Sequence, residues 1–280
     1  MFGKTDAKTI VKIFFEGNKM KHQRITFLVL ANFLLAFTIN FAKADSNPSI
    51  LPPDSHAYGK SYEQWSAAWL QWALSIPAAS NPIFDNTGAF AAVGQSGKVW
   101  FLAGTSGTGE VHHVDRNVII PEDTALFFPI VNYFWLNLPE YVPKKGNPDP
   151  IWSEMQEAWV REVFLKPHVD TATDLDIEID GQSIKDLENF RFQSNPPVKI
   201  NIPLGDIFGI TLPKPDGLGL NPGLYGPAVA DGYWILLAPL SLGRHTIHFK
   251  GGFVADGFSL EVTYHITVKP KSSVRLAPHP

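Results

Sequence analysis

The chain of 280 residues has no cysteine, which excludes disulfides, thiolate metal sites, thiol nucleophiles and a bacterial lipoprotein anchor. It has no Asn-x-Ser/Thr sequon, so nothing marks it for N-glycosylation. It has no large charge excess. A formal net charge of −4 creates no general field toward nucleic acid or anionic lipid. Outside one stretch near the amino terminus, it has no apolar run long enough to span a membrane. What is there is a globular composition, 45% hydrophobic and 18% charged, with 22 Gly and 23 Pro that predict many turns and few long helices.

Lys19, Lys21, His22 and Arg24 precede an apolar run, Ile25 to Phe41, that ends in Ala42-Lys43-Ala44. A basic, an apolar and a small-x-small segment in that order form an export signal, so residues 1–44 are expected to be a signal peptide cleaved after Ala44. Met20 stands directly before the basic stretch and makes a more ordinary start than Met1. The expected product is extracytoplasmic, periplasmic or secreted, with no stable membrane span after cleavage.

Residues 45–60 are rich in Pro and Ser and read as a linker. Residues 61–268 read as a single β-rich domain, with a candidate subdivision near 168, and 269–280 as a flexible tail. Ser61 and Gln64 match a helix capping box, and Tyr62, Trp65, Trp69, Trp72 and Ile76 recur at helical spacing until Pro77. A second helix is expected from Asp149-Pro150, with Trp152, Met155, Trp159 and Val163 as its apolar stripe and Pro167 as its end. Val99–Leu102, Asn117–Ile120 and Leu126–Val131 read as strands buried on both faces. Leu175, Ile177 and Ile179 alternate with acids in a half-buried strand that Asp180-Gly181 turns into a hairpin. Later strands are expected at Tyr233–Leu237, Thr246–Phe249 and Leu260–Val268. Together these predict a mainly β fold, a β-sandwich of immunoglobulin-like or jelly-roll-like type with two packed amphipathic helices. Residues 194–230 hold seven prolines and six glycines and read as a long loop, packed or lid-like because of Ile207, Phe208, Ile210 and Leu212.

Candidate chemistry concentrates in His112-His113-Val114-Asp115-Arg116. Imidazole, carboxylate and guanidinium side by side suit acid/base work. On an extended chain His113 and Asp115 share one face and His112 takes the other, so a metal would need a third ligand such as His245, His248 or His265. Trp65, Trp69 and Trp72 suit either a packed core or a stacking platform for a ligand, and Phe208 joins them as a binding candidate. Gly94-Gln95-Ser96-Gly97-Lys98 lacks the spacing of a nucleophile elbow or a P-loop and reads as a glycine turn. Nothing in the sequence calls for a cofactor or a metal.

Tyr58-Gly59-Lys60-Ser61-Tyr62-Glu63-Gln64-Trp65, continuing through Trp69, Trp72 and Ile76-Pro77, forms one long motif, and Gly94–Gly104 with Val99-Trp100-Phe101-Leu102 forms another. On these the chain resembles a family of uncharacterised exported bacterial proteins. The resemblance implies bacterial export and a shared fold, and brings no catalytic residues with it. The expectation is a non-enzymatic extracytoplasmic binding or structural module, with a glycan or an envelope protein as partner. The alternative is a metal-assisted or acid/base hydrolase centred on His113 and Asp115.

Overall fold

The computed structural model describes residues 49–106, 112–138, 154–208 and 220–274, all within one unit, Asn47–Pro280. The expected signal peptide and its cleavage point lie outside the described residues. Two short 3₁₀ turns, Pro53–Ser55 and Ala57–Gly59, lead into helix α1, Tyr62–Leu74. Its capping box is formed: the Ser61 hydroxyl accepts from the Gln64 N–H at 3.4 Å, and the Gln64 side chain accepts from the Ser61 N–H at 3.0 Å.

Ten strands follow: β1 Val99–Phe101, β2 His112–Pro121, β3 Ala125–Leu136, β4 Ala172–Ile179, β5 Gln182–Ser183, β6 Arg191–Gln193, β7 Val198–Ile202, β8 Gly223–Leu237, β9 Gly243–Phe253 and β10 Phe258–Lys269. They build two five-stranded sheets. The first runs β1-β3-β8-β6, with β7 also on β8. The second runs β2-β10-β9-β4-β5. The fold is mainly β and sandwich-like, as the sequence predicts.

The second sheet buries one face only. Val262, Tyr264 and Ile266 of β10, with Ile247 and Phe249 of β9, pack toward the first sheet, and the residues between them face solvent. The first sheet is buried on both faces along β3 and the later half of β8. Phe128 and Ile235 join the core between the sheets, whereas Phe127, Trp234 and Leu236 join a second core under α1. This explains why β3 and the end of β8 read as nearly continuous apolar runs. β2 departs from the expectation of burial on both faces: Val114, Val118 and Ile120 are buried, while His113, Asp115 and Ile119 are exposed, because β2 is an edge strand of the one-sided sheet.

A bulge between Pro129 and Val131 shifts the β3–β8 register, so Ile130 and Val131 both face the inter-sheet core. Proline has no N–H for the ladder, and a bulge is where a strand tolerates it. Opposite the bulge, a Cβ on Gly232 would lie 2.6 Å from the Val131 carbonyl oxygen, so the close approach requires glycine there.

Three expectations need correction. Residues 194–230 are not one loop, since β7 and the first half of β8 lie inside them. Proline and glycine content there marks strand ends and cis peptides at Pro196 and Pro227 rather than missing structure. Of this segment, Ile210 and Leu212 lie outside the described residues. The second helix does not stop before Pro167. It runs as α2, Glu154–Trp159, then a π-helical stretch, Val160–Leu165, then α3, Lys166–Val169. The π register, with the Lys166 N–H donating to the Arg161 carbonyl, sets the Pro167 ring beyond a widened turn. That wide turn also rotates the buried stripe: Val160 and Leu165 pack inward, while Trp159 and Val163 are 51% and 57% exposed. The start of this helix at Asp149-Pro150 and Trp152 lie outside the described residues, as does the side chain of Met155. Finally, the stretch read as a linker is attached. Ile50 bridges Leu237, the Leu51 N–H donates to the Leu236 carbonyl at 2.8 Å, and the Tyr62 hydroxyl donates to the Leu51 carbonyl at 2.8 Å.

Phe127 stacks on Trp234 at 5.5 Å with 10° between the planes, under α1. Phe127→Ala is expected to lower stability by about 4 kcal/mol, whereas Ile119→Ala on the solvent face costs under about 1 kcal/mol; urea unfolding of the two variants compares them.

Candidate functional site

The three α1 tryptophans are core residues, 9%, 4% and 7% exposed at Trp65, Trp69 and Trp72. Each indole N–H is satisfied by a backbone carbonyl: Trp65 by Ala57 at 3.1 Å, Trp69 by Leu102 at 2.9 Å and Trp72 by Val93 at 2.9 Å. Indoles fixed this way pack their faces where the helix meets the sheet, and two concave sites form along that seam.

The larger is a cavity of about 640 Å³. β1 is three residues long and pairs only with Ala125–Phe127, so beyond Phe127 this edge of β3 has no strand beside it among the described residues. The cavity follows that edge. Trp69, Ala73, Phe134 and Phe208 wall it on the α1 side, and Ile130, Phe253, Phe258 and Leu260 on the inter-sheet side. Its described lining carries one formal charge at neutral pH, Asp256, which lies 3.8 Å from His168 Nε2. The imidazole of His168 stacks on Tyr133 at 4.5 Å and 5°, with its Nδ1 2.6 Å from the Phe164 carbonyl oxygen. Burial first, and then the Asp256 charge, raise the pKa of the Tyr133 phenol above its ordinary value, so it stays protonated. Trp135, also in the wall, has a buried indole N–H with no hydrogen-bond partner among the described residues.

The smaller site, about 520 Å³, lies between α1 and the Gly94–Lys98 turn. Trp65, Trp72 and Phe101 line it, with Lys60 and Lys98. Gly94 and Gly97 have φ of +67° and +75°, the turn expected of them. Gln95, buried, ties the turn together by donating to the Ala91 and Phe101 carbonyls and accepting from the Phe101 N–H. The tryptophans therefore divide between two sites: Trp69 and Phe208 meet in the cavity, and Trp65 and Trp72 line the groove.

The histidine-acid stretch lies elsewhere, on the solvent face of the second sheet. His113 Nε2 sits 3.0 Å from Asp115 Oδ2, and His265 Nε2 sits 3.2 Å from the other oxygen of the same carboxylate. Glu261 accepts from His248 at 2.9 Å and lies 3.6 Å from His113 Nδ1. The His265 hydrogen bond, aided by His113, holds the Asp115 carboxyl below the usual range, and His248 does the same for Glu261. The row is exposed, and neither concave site contains His113 or Asp115. Among the described residues no group of three or more His, Asp or Glu is arranged to hold a metal ion. His245 is remote from this row and pairs with Asp180 at 2.7 Å. The His112 side chain is outside those described.

Arg116 does not share this face. It points inward, 1% exposed, and donates to the carbonyls of Asp85 at 2.7 Å, Ala103 at 2.6 Å and Gly104 at 3.0 Å and to the Tyr264 hydroxyl at 2.6 Å. Its alternation with Asp115 along β2 dictates this. Arg116 is thus a clamp on two loops, not a partner for an acid/base pair.

Tyr133, Phe134 and Trp135, in the apolar run of β3, read from the sequence as core first and binding surface second, and they are wall residues. Sequence reasoning missed Asp256 and Phe258, since a lone acid in a turn gives no signal.

No family model matches the sequence, and no curated protein matches it. Among solved structures, a chain from "Structure of PbICP-C in complex with falcipain-2" is 11% identical, covers 62% of this chain and 100% of its own, and superposes with a TM-score of 0.23. That likeness carries no argument.

Arg116→Met is expected to cost about 3 kcal/mol or more, because it takes the donor from the buried Asp85 and Gly104 carbonyls and one of two donors from that of Ala103. His113→Ala and Asp115→Ala are expected to cost under about 1 kcal/mol each, as exposed pairs do. Urea unfolding of the three variants checks this ranking.

Proposed function

We propose that the protein is a non-enzymatic, exported binding module that holds an apolar small molecule in the cavity beside β3. The observation that carries this reading is the cavity's wall: a volume of about 640 Å³, built of aromatic and aliphatic side chains with a single charged residue. Sites of this size and lining take up drug-sized apolar ligands. Dry apolar concavities bind apolar molecules because each buried CH₂ contributes about 0.8 kcal/mol. A stacking platform for glycans is less well supported, since the α1 indoles are buried and already hydrogen-bonded. Export, with the resemblance to exported bacterial proteins, rests on residues 1–44 and on the motifs around Trp65 and Trp100. Among the described residues no helix is long and apolar enough to cross a membrane.

The alternative of a hydrolase centred on His113 and Asp115 has their 3.0 Å pairing in its favour, but the pair is exposed and lies in neither concave site, where a substrate would be positioned.

The uncharged dye N-phenyl-1-naphthylamine is expected to bind saturably, with a rise in fluorescence. Ser106→Trp, at a half-buried loop position on the cavity wall, is expected to weaken it about tenfold or more with the melting temperature unchanged. Saturable binding that Ser106→Trp leaves intact would remove the cavity from the account.

A further inference from the structure

Resting on the cavity reading above, we infer that the Asp256 end of the cavity recognises a cation, so that the bound molecule is an amphiphile with an apolar body and an ammonium head. Four aromatic rings gather at this end. Tyr133 lies 5.7 Å from Phe164 and 6.0 Å from Phe253, and Phe253 lies 5.8 Å from Phe258, with interplanar angles from 26° to 87°. All four residues line the cavity, and the face of an aromatic ring attracts an ammonium group. Asp256, in the turn that follows β9, supplies the only formal charge on the described lining, and it is negative. No Lys, Arg or His is among the described lining residues, so nothing in the wall would balance an anionic head.

The Tyr133 phenol stays protonated. His168 lies outside the lining, with its Nε2 3.8 Å from Asp256 Oδ1. The partly exposed Asp256 side chain lines one end of the cavity, and the alkyl or aryl body of the ligand fills the apolar end under Trp69 and Phe208. A carboxylate head at the same place would meet a like charge at the edge of a poorly solvated wall, and like charges so placed disfavour binding.

The test uses decyltrimethylammonium, decanol and decanoate at about pH 8, each titrated against the intrinsic fluorescence of the full exported protein, in which Trp69 and Trp135 line the cavity. Decyltrimethylammonium is expected to bind about tenfold or more tightly than decanoate, with decanol between them. Asp256→Asn is expected to bring the ammonium and carboxylate probes within about threefold of each other, with decanol unchanged. Phe258→Leu, which keeps the position apolar, is expected to weaken the ammonium probe and spare decanol. Decanoate binding as tightly as decyltrimethylammonium, or a preference that Asp256→Asn leaves untouched, would overturn the cation inference while the cavity reading stands. Failure of all three probes to bind would overturn the cavity reading with it.

Discussion

Where β3 pairs with the later half of β8, the first sheet meets water on neither face, and the indole stripe of α1 is what removes its outer face from solvent there. Trp69 packs edge-on to Trp234 at 5.5 Å, and Trp234 stacks on Phe127, so helix, β8 and β3 are joined through three rings. Burying such rings stabilises the fold by several kcal/mol, and it leaves them little freedom to act as an open platform. The three indole N–H groups anchor the segments around Ala57, Val93 and Leu102 to the helix. Remove the helix and both concave sites lose a wall.

Below that layer, the second sheet supplies the opposite face of the main core and carries its polar side outward. Arg116 and Tyr264 are the exception within that core. Their polar ends meet the Ala103 carbonyl, and the guanidinium also holds Asp85 and Gly104, so a loop on each side of β1 is fixed to the second sheet. This clamp sets where the chain leaves β1, and so where the edge of β3 is left without a strand beside it. The cavity is a consequence of two lengths: β3 continues for nine residues beyond its last partner in β1.

How much of this could be read from the sequence follows from the range of each interaction. The capping box and stripe of α1 are local patterns, and they gave the helix almost to the residue. The alternation in β4 and the Asp180-Gly181 hairpin are local too, and both formed, with φ of 51° and 76° at the turn. The π-helical stretch was invisible, because nothing in residues 160–165 distinguishes a wide turn from an α turn before Pro167. β7 was hidden because its pairing partner is β8, more than twenty residues on, and prolines flank it. The site was hidden for the same reason on a larger scale. Asp256, Tyr133 and Phe164 belong to separate segments, and only the folded sheets bring them together. Conversely, His113 and Asp115 looked like chemistry because they are close in sequence, and their pairing formed on an exposed face outside both concave sites.

The central claim is that the space along the free edge of β3 is a binding site. The most direct measurement is a crystal structure of the protein soaked with a short bromoalkane, read by the anomalous signal of bromine. The account predicts a peak between Trp69, Ile130 and Phe208. Ordered protein atoms filling that space, with no bromine signal there, would contradict it.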